Sequence, residues 1–175
     1  MLGDADRVCY MRAMAFALRE EPIEFVDRAP IVVRAEVTVR ATPEKVWPAL
    51  ADAAVWPQWF KGLRVARYTS PPPFGVGTKR HVEVQGFKVD ETILAFDVAK
   101  RYAFRVDSGN LPLLAAMVEV VTLEPQDGAT RVVYRQALEP RWWLGPVAGL
   151  FRRQMERGLR DGLAGLEPWV LGSRR

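Results

Sequence analysis

The chain is poor in the side chains that most enzymes use for chemistry. Its 175 residues include one cysteine, Cys9, and one histidine, His81. A single cysteine excludes an intramolecular disulfide and any multi-cysteine metal site, and it points to a reducing compartment. A single histidine excludes every two-histidine metal motif. No apolar run approaches the ~20 residues of a membrane-spanning helix. Asp4, Asp6 and Arg12 precede any apolar stretch, so the N-terminus does not read as a secretory signal. Gly-x-Ser-x-Gly, His-Glu-x-x-His and the Gly-x4-Gly-Lys phosphate loop are all absent. Gly75-Val76-Gly77 begins like a dinucleotide fingerprint, but Arg80 stands where the third glycine belongs and a strand pattern follows. These absences leave an expected cytoplasmic chain with no implied metal, nucleotide or other cofactor.

What is present is an ordinary globular composition, 49% hydrophobic and 26% charged. The length suits one domain with a real core. The net charge of +4 is local, because seven arginines outweigh three acids from Arg141 onward. Such a bias fits a solvated helix face or an anionic partner. Trp142-Trp143, just ahead of Arg152 and Arg153, suits a transient membrane-surface contact, with a packed loop as the alternative. No nucleic-acid partner is expected.

Residues 1–29 stand apart as an N-terminal extension. Val8, Met11, Ala15 and Leu18 recur at helical spacing and predict a short amphipathic helix that ends at Glu20-Glu21-Pro22, with a loosely attached extension as the alternative. Val33, Ala35, Val37 and Val39 alternate with polar residues and predict a strand over 31–39 that is buried on one face. Thr42-Pro43-Glu44 opens a helix, and Pro48 predicts a kink or an early end. A second short helix is expected over 56–60. Residues 63–139 read as strands and turns. Val147, Phe151, Met155, Leu159 and Leu163 then form the apolar stripe of a long helix, in which Gly158 and Gly162 allow close approach to another element. Strand, two short helices, several strands and one long helix predict an α+β fold with an antiparallel sheet around that helix.

Turn residues fix which side chains share a face. Gly86-Phe87, read as a tight turn, pairs Val84 with Val89, Val82 with Glu91 and Arg80 with Ile93. Asp127-Gly128 pairs Leu123 with Val132, Val121 with Tyr134, Glu119 with Gln136 and Met117 with Leu138. Tyr102, Phe104 and Val106 join Ile93 and Ala95 on the inner side. The opposite face, with His81, Asp90 and Thr92, reads as the solvent side. The inner face thus mixes an apolar lining with Arg80, Glu91, Tyr102, Glu119, Tyr134 and Gln136. Unpaired charges there cost several kcal/mol, about 3–5 each. Either these groups pair with one another or they face a cavity of the kind that binds small molecules.

Pro43-Glu44-x-Val46-Trp47, then Asp52-x3-Trp56-Pro57-x-Trp59, resembles the START-like superfamily and its polyketide cyclase/dehydratase-like branch. Gly75-x-Gly77-Thr78, Gly128-x-Thr130-Arg131-Val132 and the long last helix also match, over residues 31–167. The resemblance implies a helix-grip domain over 30–168, followed by a tail at 169–175. It implies a curved seven-stranded antiparallel sheet around the C-terminal helix, with two short helices after strand 1. It also implies a cavity for a lipid, sterol or polyketide, with either carriage or cofactor-free cyclisation as the activity. Trp56, Trp59 and Phe60 are expected either at the cavity mouth or closing the core. Glu91, Tyr134 and Arg80 can supply acid–base and oxyanion chemistry, or anchor a ligand. At Glu91 two influences oppose, since burial raises the carboxyl pKa and pairing with Arg80 lowers it; a close ion pair would favour the charged form.

Overall fold

The computed structural model describes residues 15–172. Its strands are β1 (Phe16–Ala17), β2 (Ile31–Val39), β3 (Leu63–Tyr68), β4 (Lys79–Val84), β5 (Phe87–Asp97), β6 (Arg101–Gly109), β7 (Leu114–Gln126) and β8 (Ala129–Pro140). Seven of them form one curved antiparallel sheet in the order β2-β8-β7-β6-β5-β4-β3. The two-residue β1 adds to β6. The helices are α1 (Pro43–Ala51), α2 (Trp56–Trp59), α3 (Ala148–Leu163) and α4 (Leu166–Val170). The long helix α3 lies across the concave face of the sheet and packs on β2. This is the helix-grip architecture.

The β7–β8 register is the expected one, residue for residue, around Asp127-Gly128. The β4–β5 hairpin differs. Its turn is Gln85-Gly86, with φ of +50° and +88°, and it pairs Val84 with Phe87, Val82 with Val89 and Arg80 with Glu91. Glutamine in the left-handed region carries no obvious sequence signal, so the expected turn lies one residue too late. The error shifts every partner by two and leaves each side chain on its expected face. His81 accordingly sits on the convex side, with Nδ1 2.7 Å from Asp90. Ala95 departs from the expectation. A bulge between Ile93 and Ala95 turns it to the convex face opposite Ala103, and Phe96 takes the inward place opposite Tyr102.

The N-terminal segment is neither helical at its end nor loose. Val8 and Met11 lie outside the described residues, but Phe16–Ala17 is a strand. Strands β6 and β7 part after the Arg105–Val118 pair, and residues 16–19 fill the gap. The Leu18 amide donates to the Asp107 carbonyl at 2.9 Å and the Arg19 amide to the Ala115 carbonyl at 2.7 Å. A 3-10 turn, Ile23–Asp27, then sets Phe25 and Val26 on the convex face against Ala95, Ala103, Ala116, Val118, Val120 and Ala137. The convex face is therefore not simply a solvent face, and Thr92 is buried there too. Glu21 fastens the segment by accepting bonds from Arg19 and Arg28.

Pro48 does not end α1, which runs on to Ala51. The Trp56 and Trp59 indole nitrogens donate to the Leu50 and Ala49 carbonyls, each at 3.0 Å, and tie α2 to the end of α1. The last turns of α3 rest directly on α2. A Cβ at Gly162 would lie 2.3 Å from the Phe60 ring, and one at Gly165 would lie 2.0 Å from the Trp59 carbonyl oxygen. Only glycine permits this approach. The stripe on α3 is buried at Leu159 and Leu163, but Val147 is exposed. The expected tail overlaps α4, where Trp169 Nε1 donates to Gln58 at 3.2 Å.

Candidate functional site

Between the sheet and the first half of α3 lies a cavity of about 330 Å3. Its walls are mostly apolar, with Val82, Val106, Met117, Phe151 and Met155 among the lining residues. Exposed lining residues mark the mouth: Gln85 and Phe87 at the β4–β5 turn, Leu111 after β6, and Gln154 on α3. Trp56 and Phe60 close the opposite end, both buried. The aromatic cluster is thus the floor and not the mouth. The Gly162 and Gly165 contacts hold the end of α3 down against Phe60 and Trp59 here.

Six of the eight residues selected from the sequence line the cavity: Arg80, Glu91, Glu119, Tyr134, Gln136 and Phe60. Tyr102 and Trp59 do not. Tyr102 stands behind Arg80, its hydroxyl 3.2 Å from that of Tyr68. Trp59 is turned toward α1 by its bond to Ala49. Trp56 and Leu18 are lining residues outside that selection. On so short a helix, nothing in the sequence prefers Trp56 over Trp59 as the inward tryptophan. Leu18 reads by spacing as part of a separate extension.

The polar lining forms two linked groups. Arg80 Nε donates to Glu91 Oε2 at 2.6 Å, and Nη1 donates to the Tyr102 hydroxyl at 3.3 Å. The guanidinium lies 4.2 Å from the Phe104 ring centre and 4.7 Å from that of Trp56, which suits a desolvated planar cation. Across β6, Glu119 Oε2 accepts from the Tyr134 hydroxyl and, at 2.9 Å, from Gln136 Nε2. All these side chains are buried.

Burial dominates the acid–base behaviour. It pushes the Glu91 carboxyl up to about 7, although the Arg80 charge pulls the other way. Of the two opposing influences, full desolvation outweighs the one close cation. Burial also raises Glu119, with Tyr134 and Gln136 opposing it, and raises the phenols of Tyr102 and Tyr134. The site therefore holds a carboxyl that exchanges its proton near neutrality. Among the described residues no group of three or more His, Cys, Asp or Glu side chains is placed to hold a metal ion. No helix among them is long and apolar enough to cross a membrane.

Residues 30–168 match the family model described as polyketide cyclase/dehydrase and lipid transport. The chain belongs to this family. An uncharacterised protein of Mycobacterium tuberculosis is 31% identical over 149 residues, covering 85% of this chain and 89% of its own. A Thermus thermophilus protein of known structure superposes with a TM-score of 0.69 at 22% identity, covering 83% of this chain and 100% of its own. A START superfamily protein from Mycobacterium smegmatis gives 0.66 at 14% identity, covering 82% and 99%. DynU16, from the dynemicin biosynthetic locus, gives 0.63 at 21% identity, covering 82% of this chain and 48% of its own. Family and fold together support hydrophobic-ligand binding or cyclase-like activity.

Proposed function

We propose that the protein binds and carries a small hydrophobic molecule, a lipid, sterol or polyketide, in the cavity between α3 and the sheet. The observation that carries this reading is a mostly apolar cavity, open at one end, with a cluster of buried polar groups on its wall. Native mass spectrometry of freshly purified protein is the test, since a bound apolar molecule adds its own mass. Tyr134→Trp narrows the cavity and should lose that mass. A Tyr134→Trp protein that keeps its adduct would remove Tyr134 from the site.

Cyclase or dehydratase chemistry is favoured by one observation, the Glu91 carboxyl near 7. That value suits a general acid or base. Glu91→Gln keeps the shape and removes the acid. Turnover of a poly-β-keto substrate that is lost while affinity survives would establish the enzyme. Release at a membrane surface is favoured by the exposed apolar side chains beside the mouth. Trp142 is 87% exposed and Leu150 71%, with Arg152 and Arg153 next to them. Co-sedimentation with phosphatidylglycerol vesicles, lost in Trp142→Ala, would support that reading.

A further inference from the structure

One residue of the cavity wall comes from outside residues 30–168, the span that the family model matches. We propose that this residue, Leu18, closes a split in the sheet and so sets how broad an apolar body the cavity accepts. This rests on the cavity being the binding site. The split follows from the strand ladder. Strands β6 and β7 pair as far as Arg105 and Val118 and then part. Val106 and Met117, the next residues beyond that last pair, both line the cavity. Residues 16–19 fill the space between the two edges. Phe16 and Ala17 pair with Gly109 and Ser108 on β6. The Leu18 amide donates to the Asp107 carbonyl, and the Arg19 amide donates across to the Ala115 carbonyl on β7. Without this segment both carbonyls would lose these partners, and the cavity would open sideways between Val106 and Met117.

Packing sends Leu18 inward. Ala17 is exposed, while Leu18 is buried in the core cluster that holds Val106 and Met117. Phe25 and Val26 belong to the separate cluster on the convex face, so the chain threads the split from the inner side to the outer one. Among the described residues Leu18 is the one lining residue before Trp56. Where strands pair, inward side chains of neighbouring strands stand side by side, as Arg80 and Glu91 do. At the split one aliphatic side chain takes that place. Its mount is firm. Arg19 bonds Glu21 at 2.7 Å and Glu139 at 2.6 Å, and Arg141 Nη2 donates to the Ala17 carbonyl at 3.2 Å. Glu20 pairs with Arg105 at 2.6 Å. A side chain on backbone tied to both strands is a fixed piece of wall, and its size is felt by whatever packs against it.

Isothermal titration with two isomers, 1-dodecanol and 2-butyloctan-1-ol, tests this. The two differ in breadth and not in carbon count or polar group. Leu18→Ala removes about three carbons from the wall. It should shift the ratio of the two affinities about four- to sixteenfold toward the branched isomer, the worth of one to two further buried methylenes. Leu123→Ala is the control, because Leu123 is also buried in the same core cluster and does not line the cavity. Its ratio should stay within about twofold of the wild type, well short of one methylene. Should Leu18→Ala fail to fold by circular dichroism, Leu18→Val decides, with a shift of about two- to fourfold expected. A smaller shift or the loss of both isomers in a folded Leu18 variant, or an equal shift in Leu123→Ala, overturns the role of Leu18 and leaves the cavity reading standing. No saturable binding of either isomer to the wild type overturns the cavity reading, and this inference with it.

Discussion

The tightest contact in the grip is also the most direct to perturb. Gly162 lies on the inner side of α3, and an alanine there would place Cβ 2.3, 2.4 and 2.7 Å from three atoms of the Phe60 ring. Carbon atoms rest at about 3.5–4.0 Å, so the ring must move by more than about 1 Å. Trp56, Trp59 and Tyr134 surround it with ring centres 5.6–6.4 Å away. The free direction is the cavity that Phe60 lines. Overpacking of this severity belongs at the top of the usual range, about 3 kcal/mol. Replacing a helical glycine returns about 1 kcal/mol of propensity. The net loss is therefore about 2 kcal/mol, or a midpoint about 4–8 °C lower for a chain of this size. Gly158→Ala is the internal control. It lies on the same helix with no atom within 4 Å of its Cβ position, and should gain about 1 kcal/mol. Thermal and urea denaturation of the two variants isolates the packing contribution. The displaced ring should also weaken ligand binding in Gly162→Ala. A Gly162→Ala protein as stable as Gly158→Ala would refute the claim that α3 is seated on Phe60.

Three further outcomes follow from the buried groups. Because Glu91 holds its proton up to about 7 when folded and only to about 4.5 when unfolded, its contribution disfavours the folded state progressively as pH rises through that window. The effect is roughly 3 kcal/mol at full extent. Urea titrations at pH 5 and pH 8 should show Glu91→Gln flattening the wild-type fall, and an unchanged fall would place the titration elsewhere. Arg80→Met should cost about 3–5 kcal/mol at pH 8, where an ionised Glu91 is left alone, and clearly less at pH 5. A pH-independent loss would mean that the guanidinium acts by packing alone. Phe25→Ala should cost about 3–5 kcal/mol, because this side chain is 1% exposed on the convex face. A loss under about 1 kcal/mol would return residues 23–27 to a loose extension.

How much of this is legible in the sequence depends on which interaction decides each element. Strand faces come from alternation and from Asp127-Gly128, and the inward set Arg80, Glu91, Glu119, Tyr134 and Gln136 follows from parity alone. Parity survives an error of two residues, which is why the misplaced β4–β5 turn does no harm to the site. It does not survive a bulge, and Ala95 is lost to one. Leu18 and Phe25 escape notice because nothing local says that β6 and β7 part after Arg105. A gap in a sheet is a tertiary feature, and the segment that fills it looks helical by spacing until the gap is there to pair with it. The balance at Glu91 is also beyond the sequence, since burial and the Arg80 charge oppose each other and only the depth of burial ranks them.

That depth is itself informative about the site. A chain that needed only a core at this place had a cheaper solution, because well-packed hydrophobic groups in place of a buried ion pair are often neutral or stabilising by about 1–4 kcal/mol. Here one guanidinium, two carboxyls, a phenol and an amide stand together along one wall of a mostly apolar space. The strands themselves are joined by their backbone ladders. Arg80 pairs with Glu91, and Tyr134 and Gln136 both bond to Glu119, so each charged group of the wall already has a partner. Polar groups already held by one another are what a preorganised recognition surface requires, because little rearrangement is then needed on binding.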